Sequence, residues 1–144
     1  MTDPVLVVCP DCAATNRVPA ERLGAQPKCG RCKSALFQAH PVAVDDAAFA
    51  RHVAPGAIPA LVDFWASWCG PCRQMAPHFE AAAKELEPRA RLLKVDTEAQ
   101  GALAARYGIR SIPTLILFAD GKERARVSGA MDRGSLVGWV RGQI

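Results

Sequence analysis

Six cysteines in this chain fall into three Cys-x-x-Cys pairs, Cys9/Cys12, Cys29/Cys32 and Cys69/Cys72. Thiols at that spacing can form a structural disulfide, hold a soft metal, or cycle between dithiol and disulfide. The local structure around each pair separates these outcomes, and the third pair is the most sharply specified. Trp68-Cys69-Gly70-Pro71-Cys72 lies where a nearly continuous apolar run, residues 60–66 (ALVDFWA), gives way to apolar residues at helical spacing, Met75, Phe79, Ala82, Ala83 and Leu86. The run reads as a strand buried on both faces. The spacing predicts a helix over residues 69–86, kinked by Pro77. A cysteine at a helix start meets unsatisfied backbone N–H groups and the positive end of the helix dipole. Both favour the thiolate, which is the nucleophile. Cys69 is therefore expected to attack a substrate disulfide, and Cys72, one turn deeper on the same face, to resolve the mixed disulfide. Gly70 leaves room for a partner backbone, and Pro71 suits an early helical position.

The other two pairs flank residues 13–28, a length usual in four-thiolate zinc sites. Two knuckles supply two thiolates each to a tetrahedral ion, and Pro10 and Gly30 suit the tight turns this needs. Cys9, Cys12, Cys29 and Cys32 are thus expected to bind one zinc ion. Two structural disulfides or a second redox pair are the alternatives. The redox alternative is disfavoured because neither pair follows a buried strand and opens a helix. A segment of about 40 residues is usually too small to stabilise itself through a core alone. Residues 1–40 are therefore read as a metal-held module. Arg17, Arg22, Lys28, Arg31 and Lys33 make it basic. These charges are scattered without interleaved aromatics, so base stacking and nucleic-acid binding are not expected.

The elements that must position the redox pair follow in residues 41–144. A short strand at 41–44 leads to a helix at 45–53 with Asp45 as N-cap. Residues 55–59 break it before the buried strand at 60–66. After the long helix come a buried strand at 91–95, a helix at 97–107 and a strand at 114–118. Asp120-Gly121 is a hairpin signal, sending residues 122–128 back antiparallel. Asp132 can cap a last helix whose Leu136, Val140 and Ile144 share one face. This alternation predicts a mixed sheet with helices on both sides. Half of the residues are apolar and the net charge is a mild +4, as in a soluble globular protein. No stretch approaches a membrane span. Residues 1–10 lack a basic n-region and residues 5–8 are too short an apolar run for a signal peptide, so a cytoplasmic location is expected.

Residues 62–72 (VDFWASWCGPC) resemble the thioredoxin active-site signature, and residues 107–118 (YGIRSIPTLILF) resemble that family's second hallmark. The resemblance spans 41–144 and implies a five-stranded mixed sheet flanked by four helices, an α/β thioredoxin fold. It also implies roles. Asp63, a carboxylate whose burial should raise its pKa, would move a proton on or off Cys72, and Lys94 would pair with Asp63. Ile112-Pro113 would be a cis dipeptide facing the cysteines. The docking groove would comprise Trp68, Gly70, Pro71, Ile112, Pro113 and the Gly129–Ala130 stretch. Gly-Pro between the cysteines is similar to the reducing members, which implies a protein disulfide reductase recharged by a thioredoxin reductase, with no organic cofactor and no membrane partner. A monomer is expected. The N-terminal pairs resemble those of the bacterial thioredoxin 2 group. A different reading keeps the zinc module as an oxidant sensor or partner dock, with the thioredoxin activity secondary.

Overall fold

The computed structural model describes residues 3–144; residues 1–2 of the expected module lie outside that range. The chain runs through β1 (Pro4–Val8), β2 (Thr15–Pro19), a 3-10 turn (Ala20–Arg22), β3 (Val42–Ala43), α1 (Asp46–His52), β4 (Ala60–Trp65) and α2 (Gly70–Leu86). It continues through β5 (Arg91–Asp96), α3 (Gly101–Arg106), β6 (Thr114–Ala119), β7 (Lys122–Ser128) and α4 (Arg133–Gln143). β1 and β2 form an antiparallel hairpin, and the other strands form one mixed sheet in the order β3-β5-β4-β6-β7. β4 is central, parallel to β5 and antiparallel to β6.

Why β4 reads as an unbroken apolar run is visible in the two layers that cover it. Successive strand residues point to opposite faces. Leu61 packs with Met75, Phe79 and Leu86 of α2 and Leu136 and Val140 of α4. Val62 and Phe64 pack on the other face with Phe49 of α1 and Leu103 of α3. The same alternation puts Asp63 on the face of Leu61, beneath α2. Edge-on aromatic contacts of Phe49 with Tyr107 and Phe118, at 5.7 and 5.4 Å between centroids, fill the second layer.

Several expected boundaries shift for identifiable reasons. Asp45 caps α1 through its side chain, accepting from the Ala48 N–H, but β3 shrinks to two residues. The helix expected at 97–107 begins only at Gly101. Asp96 Oδ1 accepts N–H bonds from Glu98 and Ala99, and the Thr97 N–H and Oγ1 both bond the Trp65 carbonyl, which holds the intervening residues in a turn. Ile144 lies past the end of α4 and is exposed, so Leu136, Val137 and Val140 alone form that helix's buried face. Asp120 and Gly121 take positive φ values of 54° and 80° in the β6–β7 turn. A Cβ on Gly121 would lie 2.9 Å from Pro55 Cγ, so the turn closes against the break after α1.

The N-terminal module has an apolar core that extends into the rest of the chain. Its core of Val7, Val18 and Leu36 includes Ile58 from the segment before β4. Leu6 donates to the Gly56 carbonyl at 2.9 Å and accepts from the Ile58 N–H at 3.2 Å, while Arg51 Nη1 donates to the Ala13 carbonyl at 2.6 Å. Among the described residues no helix is long and apolar enough to cross a membrane.

Candidate active site and metal centre

Cys69 and Cys72 form a disulfide with Cα atoms 5.2 Å apart. Cys69 is the N-cap of α2, just outside the helix rather than inside it, with extended backbone angles. The Cys72 N–H points at Cys69 Sγ, 3.2 Å away. This is a donor that α2 cannot satisfy internally, and it favours negative charge on that sulfur. Both cysteines are buried. Pro71 occupies the first helical turn, and space beside Gly70 is open, with nothing within 4 Å of where a Cβ would stand.

The Ile112-Pro113 peptide is cis, and the Ile112 carbonyl oxygen lies 3.7 Å from Cys69 Sγ. Gly129, at φ 103°, donates its N–H to the Pro113 carbonyl at 2.9 Å, which brings the Gly129–Ala130 stretch against the cis dipeptide. Trp68 is the outlier in exposure. It is a large aromatic, 65% accessible, whose Nε1–H is held by Glu98 Oε1 at 2.7 Å. An exposed aromatic beside a redox sulfur is a surface on which a partner can settle. A cavity of about 700 Å³ among Pro59, Glu85, Pro88 and Arg141 includes neither redox cysteine.

Asp63 is 1% exposed and its Oδ1 has no hydrogen-bond partner. Burial pushes its carboxyl from an ordinary 3.8 up to about 7, against the opposing pull of the Lys94 cation. The expected ion pair is not formed. Asp63 and Lys94 are register partners on neighbouring strands, but the Lys94 ammonium sits over the Trp65 ring, 4.3 Å from its centroid. Cation–π attraction and access to water compete with the carboxylate for that charge. His78 Nδ1 accepts the Arg133 N–H at the start of α4, whose N-cap is Asp132.

At the other end, the sulfurs of Cys9, Cys12, Cys29 and Cys32 lie within 4.8 Å of one another. Each knuckle turns through a residue at positive φ, Ala13 and Lys33, and directs backbone N–H groups at sulfur: Asp11 and Cys12 to Cys9, Arg31 to Cys29. Thiols this close cannot all ionise without a cation among them. Burial pushes the Cys9 thiol up to about 12, while the Cys32 N–H is the main cause that draws Cys29 down to about 6. Four convergent sulfurs with donors behind them fit a tetrahedral soft cation and a zinc-ribbon module.

Sequence reasoning passed over Arg91 and Glu87. Arg91 opens a buried strand and is 1% exposed, bonded to Glu87 at 2.7 Å. Burial and this guanidinium push His52 down to about 3, so it is neutral. The signal that could have found them is a charge opening a buried strand, which needs a partner, with Glu87 four residues earlier.

A disulfide at a strand-to-helix junction, faced by a cis-proline dipeptide, defines a thiol–disulfide oxidoreductase. The chain belongs to the thioredoxin family: the Thioredoxin family model matches residues 40–142, and a second, "Thioredoxin 2, N-terminal", matches residues 8–34. It is 42% identical over 140 residues to Thioredoxin C-3 of Corynebacterium nephridii, covering 97% of this chain and 96% of the relative. It is 46% identical over 94 residues to Thioredoxin 1 of Synechococcus elongatus, covering 65% of this chain and 88% of that one. The solved structure of a mutant thioredoxin from Halobacterium salinarum superposes with a TM-score of 0.65 at 34% identity, over 72% of this chain and 90% of the other.

Asp63 yields a signed pH prediction. Its folded pKa lies above its unfolded value, so the folded form holds a proton that the unfolded chain has lost between pH 3.8 and about 7. Its contribution to stability is full below 3.8 and declines by about 1.4 kcal/mol per unit as pH rises through that window. Asp63→Asn should abolish this decline and leave the disulfide form on the order of 3 kcal/mol more stable than wild type at about pH 8. Urea unfolding from about pH 4 to about pH 8 measures it across the window in which linkage acts; parallel pH profiles for the two proteins would show that Asp63 is not held protonated.

Proposed function

We propose that the chain is a protein disulfide reductase in which Cys69 is the nucleophile and Cys72 the resolving thiol. The position of Cys69 at the N-cap of α2, with the Cys72 N–H aimed at its sulfur, carries this reading. In the dithiol form the Cys69 thiolate attacks one sulfur of a substrate disulfide. A mixed disulfide forms, the substrate S–S bond breaks, and the second substrate sulfur leaves as a thiolate that takes up a proton. Asp63, as carboxylate, accepts the proton of Cys72. The Cys72 thiolate then attacks Cys69 Sγ, expelling the first substrate sulfur. Two electrons have passed to the substrate and the Cys69–Cys72 disulfide is left. Lys94 is assigned the role of tuning Asp63, since its cation opposes the rise caused by burial. Trp68, Gly70, Pro71, Ile112, Pro113 and Gly129 are assigned to the docking surface, where the backbone of Ile112 is free to pair with an extended substrate.

The substrates are taken to be protein disulfides and the electron donor a thioredoxin reductase, as membership of the family supports. We assign residues 1–40 to a module that holds one structural zinc through Cys9, Cys12, Cys29 and Cys32, and residues 41–144 to the thioredoxin domain. The ion would supply charge for four thiolates and fix the two knuckles; no step of the exchange uses it. A cytoplasmic monomer is the setting in which reduced thiols and a reductase are both at hand.

Cys69→Ser should abolish insulin reduction, while Cys72→Ser should accumulate a mixed disulfide through Cys69, visible by non-reducing mass spectrometry. Wild-type turnover by Cys72→Ser would refute the division of roles. Elemental analysis of protein purified without chelator should find one zinc per chain, and Cys29→Ser should lose it; metal-free protein with four reactive N-terminal thiols would refute the assignment.

A further inference from the structure

The contact between the N-terminal module and the sheet is built on a buried charge. Arg91, the first residue of β5, extends its side chain out of the sheet end and under the module. Its Nη2 donates to the Val8 carbonyl at 3.0 Å and to the Leu36 carbonyl at 2.8 Å. These carbonyls come from opposite halves of the module, one next to Cys9 and one past Cys32. The guanidinium also lies 5.0 Å from the centre of the Phe37 ring. Its counter-charge, Glu87, is 4% exposed at the side chain and bonds Arg91 Nη1 through Oε2, while Oε1 accepts the Ala39 N–H at 2.8 Å. Four contacts thus tie the module to one Glu–Arg pair.

We infer that the Arg91–Glu87 pair is a clasp that couples the stability of residues 41–144 to the folded state of the N-terminal module. A buried guanidinium is favourable only while its hydrogen-bond acceptors and counter-charge are in place. Docking supplies the carbonyls and seals Ile58 from water; an unfolded module withdraws both. The thioredoxin part therefore does not stand indifferent to the module, as a simple tether would allow. Any event that undoes the knuckles weakens the end of the sheet where β5 begins. Only this trigger rests on the metal reading; the clasp is defined without it.

All three tryptophans, Trp65, Trp68 and Trp139, lie outside the module, so their fluorescence reports the thioredoxin part alone. Val18→Asp, which charges the module core, is compared with wild type in urea, alone and combined with Arg91→Met. In the wild-type background Val18→Asp should raise the unfolding constant on the order of 100-fold. Combined with Arg91→Met, which removes the donor from both carbonyls, its effect should fall below about tenfold. If Arg91→Met does not fold, Glu87→Gln serves instead: it keeps volume but leaves the docked cation unpaired, and should also shrink the effect of Val18→Asp. An effect of equal size in every background, or none in wild type, overturns the clasp. Removal of zinc by chelator, with metal content measured, should reproduce Val18→Asp. A Val18→Asp effect that requires Arg91 supports the clasp even if no zinc is found, and in that case only the metal reading falls.

Discussion

Everything this protein does passes through the place where β4 stops and α2 starts. A helix cannot satisfy its first N–H groups internally, and here one of them is aimed at a sulfur. That single constraint makes Cys69 different from Cys72 although the two belong to one motif. It also requires the rest of the fold: a central strand stiff enough to fix the junction, layers on both faces to bury that strand, and a loop from another part of the chain to face the sulfur. Ile112-Pro113 is that loop, brought to Cys69 by the antiparallel pairing of β6 with β4.

Burial that stabilises the sheet is also what gives Asp63 its chemistry. A carboxyl in the apolar layer beneath α2 loses hydration, and the nearest cation is too far engaged with Trp65 to restore the ordinary value. The fold thus tolerates an unfavourable group, a buried carboxyl that titrates near neutrality. Arg91 is the contrasting case. It too is a buried charge, but one whose partners are nearly complete, with only Nε lacking an acceptor, and its effect is on assembly rather than on reactivity.

Much of this was legible in the residues. The unbroken run ALVDFWA announced a strand covered on both sides, and the thiol pair at its end announced the redox site. Asp120-Gly121 marked the hairpin, and the spacing of Cys9, Cys12, Cys29 and Cys32 marked the cluster. What escaped was set by tertiary contacts. Thr97 and Asp96 hold a turn because Trp65 and the local N–H groups offer better partners than a helix would. Ile144 has the right spacing for the buried face, yet it lies beyond the neighbours that would cover it. The docking of the module depends on Ile58, Arg91 and Glu87, and periodicity carries no sign that one strand-opening arginine will reach under a separate hairpin.

The central claim is the asymmetry of the two redox thiols, and alkylation reads it directly. Reduced protein is treated with substoichiometric iodoacetamide near neutral pH, and the two cysteines are followed by peptide mass spectrometry. The helix-start position predicts modification of Cys69 about tenfold or more faster than Cys72. Equal rates, or Cys72 reacting first, would contradict the account.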